Sequence, residues 1–153
     1  MRLTRSVSYA VSVLLNVERR SARQSLTAAE ISRDCQFPPR FLYRILRRLV
    51  DSGLLTGVSG PGGGYRLARS ARRITLLEIV EAVEGPQKPT TLEPVCRTHR
   101  RSIDLINRLC AQNAKQFQDS LRGVTLATLD RGGVPPKKTA RRSVKKRPKR
   151  TPR

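Results

Sequence analysis

Ser59-Gly60-Pro61-Gly62-Gly63-Gly64-Tyr65-Arg66-Leu67 is the stretch whose reading decides the fold. Four glycines and a proline between Gly60 and Gly64 exclude a helix or strand interior. Gly reaches positive φ without a Cβ penalty and Pro holds φ near a single value, so the segment reads as a tight reversal. Leu54-Leu55-Thr56-Gly57-Val58 and Tyr65-Arg66-Leu67 flank it, which makes it the tip of a small β-hairpin. A glycine-rich loop can also cradle nucleotide phosphates. Here the Lys-Ser/Thr of a P-loop is missing and no helix begins directly behind the loop. A hairpin behind a basic helix points instead to a winged helix-turn-helix, its wing tip laid along a nucleic-acid backbone.

The residues upstream supply that helix. Pro38-Pro39 opens it, because a missing amide costs nothing in a first turn, and it runs to Ser52 with Gly53 as the C-cap. Leu42, Ile45, Leu46 and Leu49 form its buried stripe. Arg40, Tyr43, Arg44 and Arg47 recur at helical spacing on the opposite face. An ordinary solvated face mixes charge signs within a turn, whereas this one carries no acid before Asp51. Thr27-Ala28-Ala29-Glu30 is a capping box that opens a short helix ending near Cys35. Before it, Thr4 caps a first helix with apolar positions Leu3, Val7, Ala10, Leu14 and Val17, and Glu18 to Ser25 reads as a polar loop. Two short helices in this order match the geometry that lays a recognition helix in a major groove.

Downstream, Thr75-Leu76-Leu77-Glu78 is a second capping box and Gly85-Pro86 closes its helix. A polar loop from Gln87 to Pro94 leads to a long helix predicted over Val95 to Arg122. Ile103, Ile106, Cys110, Ala114, Phe117 and Leu121 recur along it at three- and four-residue spacing. One such helix on a small domain leaves part of its stripe wet, and a second copy would cover it. Ile103, Ile106, Cys110, Phe117 and Leu121 are therefore expected at a homodimer interface. Val124-Thr125-Leu126 begins a last short helical turn ending by Asp130.

The expected fold class is mainly α: a winged helix-turn-helix with a small β-hairpin wing and a long C-terminal dimerisation helix. Its expected divisions are a DNA-binding domain over 1–85, a loop over 86–94, the dimerisation helix and terminal segment over 95–130, and a basic tail over 131–153. The tail is Lys, Arg, Pro, Thr, Ser and Gly with almost no apolar residues, too little to offset its ordering entropy, so disorder is expected.

The chain has 153 residues and a net charge of +21, unevenly distributed. Residues 1–73 carry +10, residues 74–130 are neutral, and residues 131–153 carry +11. Two basic blocks around a neutral one argue for a polyanion touched at two places. The basic helix lacks the aromatic-rich apolar face of an interfacial helix, and no apolar run approaches transmembrane length, so no membrane partner is expected. Cys35, Cys96 and Cys110 are too widely spaced for a disulfide framework and no secretory signal is visible, which predicts a cytoplasmic, nucleoid-associated protein. With a single histidine, no Trp and few acids, no catalytic constellation stands out, and no enzymatic activity is expected.

The order of these elements is specific enough to carry a family resemblance. Residues 1–130 resemble the bacterial Rrf-type winged-helix transcriptional regulators, with their IscR-, NsrR- and CymR-like members. The matching residues are Met1-Arg2-Leu3-Thr4 with Tyr9-Ala10-Val11, Leu49 with Ser52-Gly53-Leu54-Leu55, the wing Gly60 to Leu67, Ile74-Thr75-Leu76 with Glu78-Ile79, Ala82-Val83-Glu84-Gly85, and Val124-Thr125-Leu126. The resemblance implies a dimeric transcription factor, often a repressor, and leaves the basic tail unexplained. Cluster-binding members use three cysteines in or beside the loop before the long helix, plus a fourth ligand. Here Cys96-Arg97-Thr98-His99 resembles the last cysteine and the histidine ligand, while the loop from Gly85 to Pro94 holds no cysteine.

An iron–sulfur cluster needs about four protein ligands, so no cofactor is expected; a cluster or a zinc ion pooled between two Cys96–His99 pairs is the exception. A redox-sensitive Cys96 thiol, favoured by Arg97 and Arg100, and a purely structural Cys96 both stay open. Cys110 and Cys35 read as packing residues. For double-stranded DNA, Arg40, Tyr43 and Arg44 are expected at base edges and Arg47 and Arg48 at phosphates. The wing amides of Gly62, Gly63 and Gly64, with Ser59 and Arg66, are expected at the backbone or minor groove. The expected function is a sequence-specific regulator, of which a repressor is the first form, binding a pseudo-palindromic operator as a homodimer. The alternative is an architectural DNA-coating protein dominated by its tail.

Overall fold

The computed structural model describes residues 3–20, 25–35 and 38–132, and the tail expectation for residues beyond 132 lies outside them. Six α-helices and one hairpin follow in the order α1 (Arg5–Arg20), α2 (Ala28–Cys35), α3 (Pro39–Asp51), β1 (Leu55–Val58), β2 (Gly64–Leu67), α4 (Leu76–Glu84), α5 (Arg100–Arg122) and α6 (Leu126–Asp130) among the described residues. This is the mainly helical winged fold with a long C-terminal helix. Single 3₁₀ turns at Ala71–Arg73 and Arg97–His99 precede α4 and α5.

Local chemistry accounts for most boundaries. The Thr4 hydroxyl accepts the Ser6 amide at the start of α1 (3.2 Å). At α2 the Thr27 hydroxyl accepts the Glu30 amide (3.3 Å) while the Glu30 carboxylate accepts the Thr27 amide (2.8 Å), a complete capping box. Thr75 and Glu78 repeat it at α4, and Thr125 caps α6 through the Thr128 amide. Proline at its first turn opens α3, and Gly53 leaves it with φ 68°.

Several boundaries and one side chain depart from expectation. The first helix continues through Glu18 to Arg20, because Val17 is still buried and holds that turn on the core. The long helix begins at Arg100 rather than Val95: Cys96 is extended (φ −139°, ψ 151°), and a 3₁₀ turn intervenes. The first wing strand starts at Leu55, one residue after the predicted run. Leu3, expected in the buried stripe of α1, is 48% exposed because it precedes the helix.

A single hydrophobic core joins Val7, Ala10, Val13, Leu14 and Val17 of α1 to Leu42, Ile45, Leu46 and Leu49 of α3 and to Leu77, Ile79, Val80 and Val83 of α4. Leu121 and Leu126 belong to the same core, so the far end of α5 and all of α6 are anchored on the winged domain. Arg19 pairs with Asp130 at 2.6 Å, tying α6 to the end of α1.

Candidate nucleic-acid interface

Helix α3 presents its outer face as the periodicity predicts. Its four leucine and isoleucine positions are buried, and Arg40, Tyr43, Arg44 and Arg47 are exposed, Tyr43 by 58%. One of these side chains, Arg44, is supported from below. Tyr9 of α1 meets Phe41 edge to face (4.8 Å between ring centroids), and the Arg44 guanidinium lies over the same Phe41 ring, 4.8 Å from its centroid. Arg47 faces Asp51 one turn on, at 3.8 Å and with both side chains largely exposed.

Arg48, expected at a phosphate, is exposed on the same helix and donates through one guanidinium nitrogen to the Val83 carbonyl near the end of α4. That carbonyl belongs to the last turn of a helix, where backbone acceptors have no partner of their own. Arg48 thus fastens α3 to α4.

The wing is a two-stranded antiparallel hairpin in which Thr56 pairs with Arg66 and Gly57 with Tyr65. A third strand-like contact was missed from sequence. Leu26, just before α2, exchanges two backbone hydrogen bonds with Tyr65, one at 3.0 Å and one at 2.7 Å. The only signal for it was a lone apolar Leu26 in a polar loop, too little to distinguish a strand.

Two glycines of the wing are required by this packing. A Cβ on Gly64, which has φ 152°, would stand 2.4 Å from the Leu26 carbonyl oxygen. One on Gly63 would stand 2.4 Å from the Val58 carbonyl oxygen. The Gly63 amide, expected at DNA, already donates to the Gly60 carbonyl (2.9 Å) inside the turn. Gly62, Ser59 and Arg66 remain exposed at the tip and edge.

Helix α5 divides into two halves. Ala114 and Leu121 are buried, and Phe117, partly buried, packs against the core; of the positions expected at a dimer face, Leu121 is thus the one with little surface left. The N-terminal half carries the free apolar surface. Ile106 is 41% exposed, and Leu105 (52%) and Leu109 (50%), which a single traced stripe omitted, broaden that face. Ile103 and Cys110 are half-buried beside it.

The loop from 86 to 96 runs back along α5. The Asn107 side chain bonds both backbone groups of Leu92: its oxygen accepts the Leu92 amide (2.8 Å) and its nitrogen donates to the Leu92 carbonyl (2.9 Å). The Gln118 side-chain nitrogen donates to the Gln87 carbonyl. Between these ties Lys88, Pro89, Thr90, Cys110, Asn113, Ala114 and Phe117 line an open cleft of about 390 Å³.

Cys96 is exposed, with its sulfur 3.3 Å from Nδ1 of His99. The amide of His99, then the hydroxyl and amide of Thr98, hold the Cys96 thiol below its ordinary pKa. The stabilising groups are thus the donors of the 3₁₀ turn rather than the expected Arg97 and Arg100.

Residues 3–131 match the family profile described as Rrf2, iron-dependent transcriptional regulator. The transcriptional regulator IscR of Xenorhabdus nematophila is 34% identical over 117 residues, covering 71% of each chain. Among solved structures, CymR, the global cysteine regulator of B. subtilis, aligns with a TM-score of 0.69 and 19% identity over 88% of this chain and 99% of its own. The T. potens IscR aligns with a TM-score of 0.62 and 19% identity over 86% and 88%. Both describe the same fold.

The iron implied by that family description does not fit the donors on view. Cys96 and His99 supply two, against the roughly four that an iron–sulfur centre takes. Among the described residues no group of three or more His, Cys, Asp or Glu could hold a metal ion. Cys35 ends α2, which packs on α1 and α3.

Proposed function

The chain belongs to the Rrf2 family of transcriptional regulators, and from that premise we propose that it represses transcription by binding a pseudo-palindromic operator as a homodimer. Its membership makes it a DNA-binding helix-turn-helix regulator, not an enzyme. The observation that carries the finer reading is the outer face of α3. Arg40, Tyr43 and Arg44 are exposed near its start with no acid among them, and Phe41 supports Arg44 from below.

Two such helices related by a two-fold axis enter successive major grooves about 34 Å apart. Arg40 and Arg44 read bases there, since one guanidinium can bond O6 and N7 of guanine together. Arg47 contacts phosphate, its exposed partner Asp51 giving way at little cost because such surface pairs contribute about 0–1 kcal/mol. Ser59, the Gly62 amide and Arg66 meet the backbone beside the wing. The exposed apolar face of Ile106, with Leu105 and Leu109, forms the centre of the dimer contact.

The basic residues 131–153 add affinity that is independent of sequence. Contacts to six to ten phosphates in all make binding fall about 10³–10⁵-fold between 50 and 200 mM salt. Footprinting of the full chain on bacterial promoter DNA tests the reading. A repressor protects a discrete site of two half-sites and keeps that preference, with a shallower salt slope, when residues 133–153 are removed. Uniform protection of all DNA, lost with the tail, would mark a coating protein instead.

A further inference from the structure

We propose that the segment joining α4 to α5 is fastened by an amide clasp in place of a metal group, so that this regulator reaches its DNA-binding form without iron. The inference rests on the DNA-binding reading above and adds how the protein is held ready.

The clasp has two parts on one face of α5. Asn107 meets Leu92 with both side-chain atoms, satisfying an amide and a carbonyl of one residue at 2.8 and 2.9 Å. Eleven positions on, three helical turns away, Gln118 holds the Gln87 carbonyl. The two ties grip opposite ends of the loop 87–92, and both use neutral amides that need neither metal nor a change of protonation. Amide side chains suit this task because each offers a donor and an acceptor side by side, matching a backbone edge.

The donor set argues in the same direction. Thiolate and imidazole are the ligands iron–sulfur centres take. The loop between Gly85 and Pro94 contains neither residue type, and Cys96 and His99 are engaged with one another. Cys110 lies eleven residues beyond His99, about three helical turns along α5, and lines the cleft with Ala114 and Phe117. The segment that a metal would have to gather is already bound to α5 by protein groups alone.

The test uses the full chain, purified anaerobically and divided into chelator-treated, untreated, and ferrous iron plus sulfide samples. Each is examined by visible absorbance, iron content, operator binding and amide hydrogen exchange at Leu92. The expected result is no visible band, iron far below one atom per chain, operator affinity equal within about twofold in all three, and a protected Leu92 amide. Asn107→Ala should lose at least tenfold of that protection while α1 and α4 keep theirs. Asn107→Asp, which retains the acceptor for the Leu92 amide, should fall between the two. Stoichiometric iron with a change in operator affinity would overturn the proposal, as would an unaltered Leu92 amide in Asn107→Ala. Should the wild-type chain bind no operator while Leu92 exchange follows the clasp and no iron is taken up, the regulator reading fails and the clasp stands.

Discussion

Thr75 and Thr125 face each other across an antiparallel bridge, each capping its own helix. The Leu76 amide donates to the Val124 carbonyl and the Leu126 amide to the Ile74 carbonyl, both at 2.8 Å. Two helix starts fifty residues apart are thereby stitched together. The bridge fixes the C-terminal end of α5 on the winged domain and leaves its other end projecting, with the exposed apolar face.

Leu126 sits beneath that bridge with no exposed surface. Leu126→Ala should lower unfolding stability by about 2–5 kcal/mol, through lost burial and the cavity left behind. Leu105→Ala, on the exposed half of α5, should barely change monomer stability and should instead weaken self-association. Denaturation together with sedimentation at several concentrations separates the two. Equal destabilisation by both substitutions would mean the projecting half is covered within the chain.

Gly64 and Gly62 should behave differently despite being neighbours in a glycine run. Gly64→Ala drives a methyl against the Leu26 carbonyl and should cost roughly 1–3 kcal/mol while breaking the Leu26–Tyr65 bridge. A Cβ on Gly62 meets nothing within 4 Å, so Gly62→Ala carries only the cost of its positive φ, about 1–2 kcal/mol. Exchange of the Tyr65 amide distinguishes them: fast in Gly64→Ala and near wild type in Gly62→Ala.

Arg40 and Arg48 should separate DNA affinity from stability. Arg40→Ala should weaken operator binding by about 1–3 kcal/mol and relax discrimination at one base pair, leaving the melting temperature unchanged. Arg48→Ala removes the donor to the Val83 carbonyl and should lower the melting temperature first. Loss of affinity in Arg48→Ala at unchanged stability would show that Arg48 acts on DNA rather than on the α3–α4 contact.

Acid should weaken the α4 capping box. Burial alone would raise the pKa of Glu78, but the Thr75 amide and hydroxyl and the Arg69 guanidinium outweigh it and hold the carboxyl below its ordinary 4.5. Because the folded pKa is depressed, this stabilisation is present above the unfolded value and disappears as pH falls through the folded one. Glu78→Gln should therefore melt below wild type at pH 7, and the gap should begin to narrow below pH 4.5 and close as the pH falls through the lower folded pKa. A gap that widened in acid would reverse the sign.

The Cys96 thiol should alkylate faster than Cys110 at neutral pH, being exposed and held below its ordinary pKa of 9.0 by the donors of its 3₁₀ turn. Peptide mapping after iodoacetamide treatment across pH should give an inflection for Cys96 below 9.0. An inflection at or above that value would exclude thiolate stabilisation by the turn.

Much of this molecule was legible in the chain because its signals are local. The boxes Thr27–Glu30 and Thr75–Glu78 act over three residues, Pro39 and Gly53 bracket α3, and the Arg40–Arg47 spacing is a property of one helix. Such features declare themselves wherever the surrounding chain goes, and they settled the winged helix-turn-helix and its basic face. Tertiary structure decided everything that depends on which distant group arrives: Leu26 against Tyr65, Arg48 on Val83, Asn107 on Leu92, and the division of α5 into covered and exposed halves. Periodicity shows that Leu121 and Ile106 share apolar character, but not that one meets the core while the other meets solvent. That outcome is set by the Thr75–Thr125 bridge, a hydrogen-bonded contact between backbones whose side chains carry no sign of it.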